Sequence, residues 1–250
     1  MEDVCAVILA AGEGTRMHSD KAKVLHEIAG VPMIRYVVQA ALDAVNDVVV
    51  VVGHQAGAVR DVLAPYSMLR FAVQIQQLGT GHAVMCAMPE IPTGIQDVVV
   101  LCGDTPLIKA ATVRRLVDTH KSGESDLTLL TTRLARPSGY GRIIVDGQGK
   151  LMRIVEESDA SESEKRIGIV NTGTYCIHMP FLERALADLK NDNAQGEFYL
   201  TDVVEDAYRK GRSAIMMEID NSAEVIGVNT KAELAEAERL LQRQAERGAQ

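Results

Sequence analysis

The sequence predicts an α/β fold, a mixed and mainly parallel sheet flanked by helices. Three runs carry that expectation: VCAVILA at Val4 to Ala10, DVVVVV at Asp47 to Val52, and DVVVLC at Asp97 to Cys102. Each is apolar without alternation, as a strand buried on both faces must be, and such strands belong to parallel sheets covered by helices. The segments between them read as helices, and strand alternating with helix at this rhythm implies crossovers in a doubly wound sheet.

The elements follow in order. Pro32 to Leu42 reads as a helix with proline near its start. Gln55 to Leu63 is helical, Arg70 to Gln74 a short strand, and Gly79 to Met88 a helix reached through glycines. After the third apolar run come a helix at Thr112 to His120 and a strand at Asp126 to Thr132. The rhythm then changes. Pro137 to Gly141 (PSGYG) is a turn, and Arg142 to Val145 with Leu151 to Val155 flank DGQGK as a hairpin. Ser158 to Lys165 is a charged loop, Ile167 to Ile177 a strand, and Pro180 to Leu189 a helix. Phe198 to Lys210 is helical, Ala214 to Ile219 a strand, and Thr230 to Gln250 a charged helix with Leu234, Ala237, Leu240 and Leu241 on one face. No internal repeat or Gly/Pro/Ser linker divides the chain, so one domain is expected.

Charge and composition narrow the function. The 250 residues carry a formal net charge of -8, which argues against a protein that neutralises a nucleic-acid backbone. A local cationic pocket for one small anion remains compatible with it. Cys5, Cys86, Cys102 and Cys176 form no C-x-x-C pair and sit in or beside apolar runs. Reduced thiols in a cytoplasmic protein are expected. No basic and apolar leader opens the sequence, and no run approaches the length of a membrane span.

In doubly wound sheets ligands lie beyond the carboxyl ends of the strands, near a switch in strand order. That rule selects three loops. In VILAAGEGTRM, glycines after a buried strand let backbone N–H groups face an anion, and Arg16 offers a fixed fork for phosphate oxygens. Lys23 follows as a second cation. The stretch matches neither G-x-G-x-x-G, since Met17 takes the last glycine's place, nor the P-loop. The plainer alternative is a strand-to-helix turn with a surface arginine. In QIQQLGTGH, at Gln74 to His82, glutamines can donate and accept at a base edge, and G-T-G opens a helix. The alternative there is a polar loop, and His82 reads as structural or supporting. In GDTP, Asp104 stands just past a buried strand, where a magnesium ligand belongs. A helix N-cap or Asx-turn is the alternative. The remaining His and Cys residues lack zinc spacing, and no G-x-S-x-G elbow is present.

Taken in order, LAAGEGTRM, KVLHEIAG, QQLGTGHA, LCGDTPL, PSGYGR, VEESDA, NTGTY, NAQGEFYLTD and GVNT resemble one family. It is the uridylyltransferase domain of the bifunctional N-acetylglucosamine-1-phosphate uridylyltransferase/glucosamine-1-phosphate acetyltransferases. The likeness runs from about residue 4 to the last helix. LAAG-x-GTRM alone marks only the wider sugar-nucleotidyltransferase superfamily, whereas QLGTGHA, GYGR and NAQGE-[FY]-Y are more specific.

The resemblance implies the Rossmann-like nucleotide-diphospho-sugar transferase fold, with a catalytic unit at 1–228 and a C-terminal helix at 229–250. It implies UTP and N-acetylglucosamine-1-phosphate as substrates, UDP-N-acetylglucosamine and pyrophosphate as products, and a place in cell-wall precursor synthesis. By the family's pattern Leu9, Ala10, Ala11, Gly12 and Gly14 cradle the nucleotide, and Gln74, Gln77, Gly79 and Thr80 hold its uridine end. Arg16 and Lys23 are the catalytic cations, Asp104 and Asn229 bind Mg²⁺, and Gly141, Glu156, Asn171 and Thr201 line the sugar pocket.

Three departures stand out. Ala22 precedes Lys23 where many relatives have proline, so a looser loop is expected. Cys102 stands where an aromatic residue is frequent. The hexapeptide repeats of the family's left-handed β-helix are absent from this sequence, so acetyl transfer and that domain's trimer contacts are not expected of it. A monomer or weak dimer, with no nucleic-acid or membrane partner, is the expectation. The rival readings are a nucleotidyltransferase for another sugar phosphate or nucleotide, and an inactive nucleotide-sugar-binding module.

Overall fold

A computed structural model of the chain describes residues 1–17 and 19–248. The strands are β1 (Val4–Ala10), β2 (Glu27–Ile28), β3 (Val31–Pro32), β4 (Asp47–Val52), β5 (Arg70–Val73), β6 (Asp97–Cys102), β7 (Leu127–Arg133), β8 (Arg142–Val145), β9 (Leu151–Val155), β10 (Ile169–His178) and β11 (Ala214–Ile219). The helices are α1 (Met33–Leu42), α2 (Ala56–Leu63), α3 (Thr80–Ala87), α4 (Ala110–Ser122), α5 (Met179–Asp188), α6 (Asp202–Arg209) and α7 (Lys231–Gly248). The last two residues of the expected C-terminal helix lie outside the described residues.

The main sheet runs β11-β7-β10-β6-β1-β4-β5, with the β8–β9 hairpin joined to β10 through β8. β1 pairs in parallel with both β4 and β6, and β4 with β5. β10 is antiparallel to β6 and β7, which makes the sheet mixed. β1 sends the chain to β4 on one side and receives β6 on the other, so the switch in strand order lies between β1 and β6.

The apolar runs are explained by helices on both faces. Val4, Ala6, Ile8 and Ala10 pack with α1, α2 and α4, while Cys5 and Val7 pack with α3, α5 and α6. Helix α7 lies apart from these layers. Ala237 and its neighbours Leu234, Leu240 and Leu241 cover Ile28, Met33, Leu107 and Val228.

Helix α6 starts later than the expected Phe198, at Asp202. The backbone before it is already committed elsewhere. Phe198 N–H donates to Leu78 O at 2.8 Å, its carbonyl accepts from Gly81 N–H at 2.8 Å, and Leu200 N–H donates to Thr80 Oγ1 at 3.0 Å. The expected C-terminal part of strand Arg70 to Gln74 is similarly shortened by one residue.

The amino end of β6 carries a buried polar cluster remote from the predicted loops. Asp97 Oδ1 accepts from His178 at 3.1 Å and lies 3.4 Å from His120 Nε2, whose ring meets Thr128 Oγ1 at 2.9 Å. Burial pushes the Asp97 carboxyl up, but the two imidazoles outweigh it and hold it below 3.8. A carboxyl depressed in the folded state stabilises the fold above its unfolded value, and that contribution fades as pH falls through the folded one. Asp97→Asn should therefore cost about 2 kcal/mol at pH 7, and its deficit in Tm should shrink below about pH 4. Thermal melts across that range check it; a deficit constant down to pH 2.5 would refute the account of an ionised carboxylate held by the two imidazoles.

Candidate active site

The loops after β1 and β6 meet at the switch point. Gly103 N–H donates to Leu9 O at 2.9 Å, locking the end of β6 to β1. Gly14 adopts φ 71°, and a Cβ there would stand 2.4 Å from the Lys23 Cβ. Glycine is thus required at this point for both backbone shape and space. Its effect is to let the Lys23 segment lie against the glycine loop.

Lys23 is placed by the segment before it. Ala22 is buried and its N–H donates to Gln55 Oε1 at 2.9 Å, while Gln55 Nε2 donates to Asp20 O. Gln55 itself is left-handed, at φ 53°. An L-residue takes that conformation at a cost of about 1–2 kcal/mol. The looseness expected from Ala22 is countered by this clasp, which the sequence did not announce.

Four predicted residues converge at one corner. Lys23 forms a salt bridge with Asp104 and donates to Asn229 Oδ1 at 3.0 Å. Arg16 donates to the same amide oxygen at 2.8 Å. Asn229 is held by its own N–H, which donates to Glu233 Oε2 at 2.8 Å, and by its Nδ2, which donates to Gly227 O at 3.2 Å. Glu233 also accepts from the Thr230 hydroxyl at 3.0 Å, and that hydroxyl in turn accepts Glu233 N–H at 3.2 Å, capping α7. Val228 N–H donates to Asp104 O at 2.8 Å, fastening the two loops together.

On one side of this corner opens a cavity of about 270 Å³. Eight of the nine residues expected to hold the nucleotide line it, with Lys23 and Asp104; the exception is Gly14, which acts behind them on Lys23. Gln77 Nε2 reaches Ala11 O at 3.5 Å. Gln74 is buried and its Nε2 faces Gly79 O at 3.0 Å and His82 Nδ1 at 3.1 Å, so His82 supports the wall. A Cβ on Gly79, at φ 104°, would meet Phe198 O at 2.6 Å. Glu197 also lines this cavity, and burial pushes its carboxyl up. Cys102 forms a further wall, its thiol pushed up to about 12 first by burial and then by Asp104.

The expected sugar residues form a second wall. Asn171 N–H donates to Gly141 O at 2.9 Å, and a Cβ on Gly141 would stand 3.4 Å from both Glu156 oxygens. Burial pushes the Glu156 carboxyl above its ordinary value, against the pull of the nearby Thr201 hydroxyl. Thr201 Oγ1 is itself buried with no partner in hydrogen-bond geometry. Arg142, 1% exposed, braces this wall through Glu157 at 2.6 Å and the carbonyls of Tyr140 and Lys165. Tyr140 lies within electrostatic reach of the corner. Its phenol is pushed to about 12 by burial, with Glu233 and Asp104 pressing the same way and Gly227 and Arg16 opposing. Sequence reasoning missed Tyr140, Glu197 and Gln55. The PSGYG and NAQGE motifs contain the first two, but nothing marked Gln55.

A larger groove, about 450 Å³, runs between β9, α5 and α6. Asp159, Asp188, Asp202, Glu205 and Asp206 line it with Glu156, against Arg153, Lys190 and Arg209. Burial, then Glu205 and Asp159, push Asp202 to about 6. Such an acidic wall disfavours phosphates, whereas Lys23 lines the smaller cavity and Arg16 stands at the corner beside it.

Asp104 and Asn229 offer two hard oxygens that converge on one ammonium, which is the donor chemistry Mg²⁺ prefers. Among the described residues no cluster of three or more His, Cys, Asp or Glu could hold a metal. A cation here would complete its shell with water and substrate phosphates.

Residues 6–146 match the family model of the MobA-like NTP transferase domain. The chain belongs to this family. It is also 48% identical to the bifunctional protein GlmU of Geotalea uraniireducens over 96% of this chain and 53% of that protein. The GlmU of Pelobacter propionicus is 48% identical over 99% of this chain and 54% of its own length. For the Desulfotalea psychrophila GlmU the figures are 45%, 94% and 69%. The chain thus spans about half the length of the first two relatives. A solved structure from Bacillus anthracis, assigned as a glucose-1-phosphate thymidylyltransferase, superposes with a TM-score of 0.75 at 21% identity, covering 95% of this chain and 94% of that one. It shows the fold. No helix among the described residues is long and apolar enough to cross a membrane.

Gly14→Ala should displace Lys23 and lower kcat/KM for nucleotidyl transfer about 100-fold, as a shift of about 1 Å at a reacting centre does. Steady-state kinetics with a thermal melt check it. Normal kcat/KM in a normally stable variant would refute the placement of Lys23 by Gly14.

Proposed function

We propose that this chain transfers UMP from UTP to N-acetylglucosamine-1-phosphate, giving UDP-N-acetylglucosamine and pyrophosphate, a step in cell-wall precursor synthesis. The observation that carries the reading is the corner itself. Arg16, Lys23, Asp104 and Asn229 are hydrogen-bonded into one network at the edge of the glycine- and glutamine-lined cavity. The family resemblance supplies the identity of the base and sugar.

In this reading the uracil end lies toward Gln77, Gly79 and Thr80, and the triphosphate crosses the backbone of Ala11 to Gly14. The amido sugar lies toward Gly141, Glu156, Asn171 and Thr201, the carboxylate and amide oxygens accepting from its hydroxyl and N–H groups. An oxygen of the sugar phosphate attacks the α-phosphorus. The bond to the bridging oxygen of the β-phosphate breaks, and pyrophosphate departs with the electron pair. The attacking oxygen is already anionic, so no general base is needed. Arg16 and Lys23 neutralise the charge that gathers on the leaving group, and the rigid loops hold the reactants in line. Asp104 and Asn229 would hold Mg²⁺, which supplies further charge neutralisation on the phosphates.

In this reading residues 1–228 form the catalytic unit and 229–250 the helix that brings Asn229 to it. The protein works in the cytoplasm as a monomer or weak dimer.

Pyrophosphate release with Mg²⁺ should be confined to UTP with N-acetylglucosamine-1-phosphate when CTP, ATP, dTTP and glucose-1-phosphate are offered in turn. Release with another pair would keep the chemistry and change the substrates; none from folded protein would leave a binding module. Asp104→Ala and Arg16→Ala should each lower kcat about 10²–10³-fold. Arg16 is exposed, so its loss should move stability by only about 0.5 kcal/mol. An Arg16→Ala protein with normal turnover would return that residue to an ordinary surface role.

A further inference from the structure

Lys23 occupies an unusual place for a residue assigned to phosphate. Its ammonium is bonded to Asp104 and to Asn229 Oδ1, the two oxygens that would hold the metal. We propose that Lys23 is the resident counter-ion of this oxygen pair, and that a divalent cation takes its place when nucleotide phosphates draw the lysine away. Metal and nucleotide then bind as a coupled pair. The inference rests on the nucleotidyl-transfer reading.

The backbone contacts fix the oxygens, while the lysine can turn on its stem. Asn229 is tied at its N–H to Glu233 and at its Nδ2 to Gly227 O, so its Oδ1 can face only the cations. The Asp104 backbone is fastened by Val228 N–H, and Gly227 packs against its carboxylate with no Cβ between. Lys23 carries its charge on a flexible four-carbon stem and is a point charge that can rotate to a new acceptor. Arg16 contacts the same Asn229 oxygen from an exposed position.

Charge closes the argument. Asp104 is already paired with Lys23, and Arg16 holds the shared Asn229 oxygen, so a divalent ion arriving alone meets an occupied pair of oxygens with two cations beside it. A triphosphate gives both side chains new acceptors and frees the oxygens. Any ligand that removes the lysine thereby raises metal affinity, and by linkage the metal raises affinity for that ligand to the same degree.

Mn²⁺ binding measured by electron paramagnetic resonance, in the absence of nucleotide, tests the exchange directly. Lys23→Gln should bind Mn²⁺ at least about tenfold more tightly than wild type, with a larger Mn²⁺-induced rise in Tm. Lys21→Gln is the charge control, since Lys21 pairs with Glu27 at 3.3 Å and not with Asp104. It should match wild type. Adding Asp104→Asn to Lys23→Gln should abolish the gain. Lys23→Met, of similar length and uncharged, replaces the glutamine variant if that does not fold. Equal or weaker binding in the Lys23 variant, or a gain that survives Asp104→Asn or appears equally in Lys21→Gln, would overturn the exchange. The functional reading fails separately, by absence of turnover with UTP and sugar phosphate in the wild-type protein, whatever the Mn²⁺ titrations show.

Discussion

Asn229 comes from the far end of the fold, yet its Oδ1 accepts from both Arg16 and Lys23, 213 and 206 residues away in sequence. The chemistry of the corner depends on this return. Several contacts secure it. Glu224, buried, accepts from Lys109 at 2.7 Å and Thr112 at 2.6 Å, tying the segment after β11 to α4. Val228 N–H then bonds the Asp104 loop, Glu233 fixes Asn229 from the first turn of α7, and α7 covers Met33 and Leu107. Together they bring the shared acceptor to the two cations.

The rest of the site follows from where β1 and β6 end. Their pairing in parallel register puts Leu9 opposite Cys102, so the glycine loop and the Asp104 loop emerge side by side. The antiparallel strand β10, with the β8–β9 hairpin on its edge, then supplies the second wall through Asn171, Gly141 and Glu156. The net charge of -8 is distributed rather than uniform. Acidic side chains crowd the groove along α6, while Arg16 and Lys23 stand at the carboxyl ends of the central strands. In the proposed reading this contrast favours an anion at the corner over the groove.

Much of this was legible in the sequence because burial on both faces leaves an unbroken apolar run. β1, β4 and β6 have the ends expected of them, as do the two strands of the hairpin around DGQGK. Local signals failed where long-range partners decide. Nothing in NAQGEFYLTD indicates that Phe198 and Leu200 give their backbone groups to the Leu78–Gly81 turn, delaying α6. The small β2–β3 ribbon, two residues a strand, is too short for any periodicity. The Gln55 clasp on Ala22 joins positions 33 apart through a left-handed glutamine, a conformation that side-chain type does not foretell. Nor does composition show that one lysine satisfies both oxygens assigned to a metal.

The central claim is that nucleotide, sugar and metal meet at the Arg16–Lys23–Asp104–Asn229 corner. A crystal structure with UDP-N-acetylglucosamine and Mn²⁺, with anomalous differences collected at the manganese edge, tests it most directly. The account predicts one anomalous peak between the Asp104 carboxylate and Asn229 Oδ1, the uracil beside Gly79, and the acetamido sugar against Glu156 and Asn171. A nucleotide or manganese seated in the acidic groove between α5 and α6, with the corner unchanged, would contradict it.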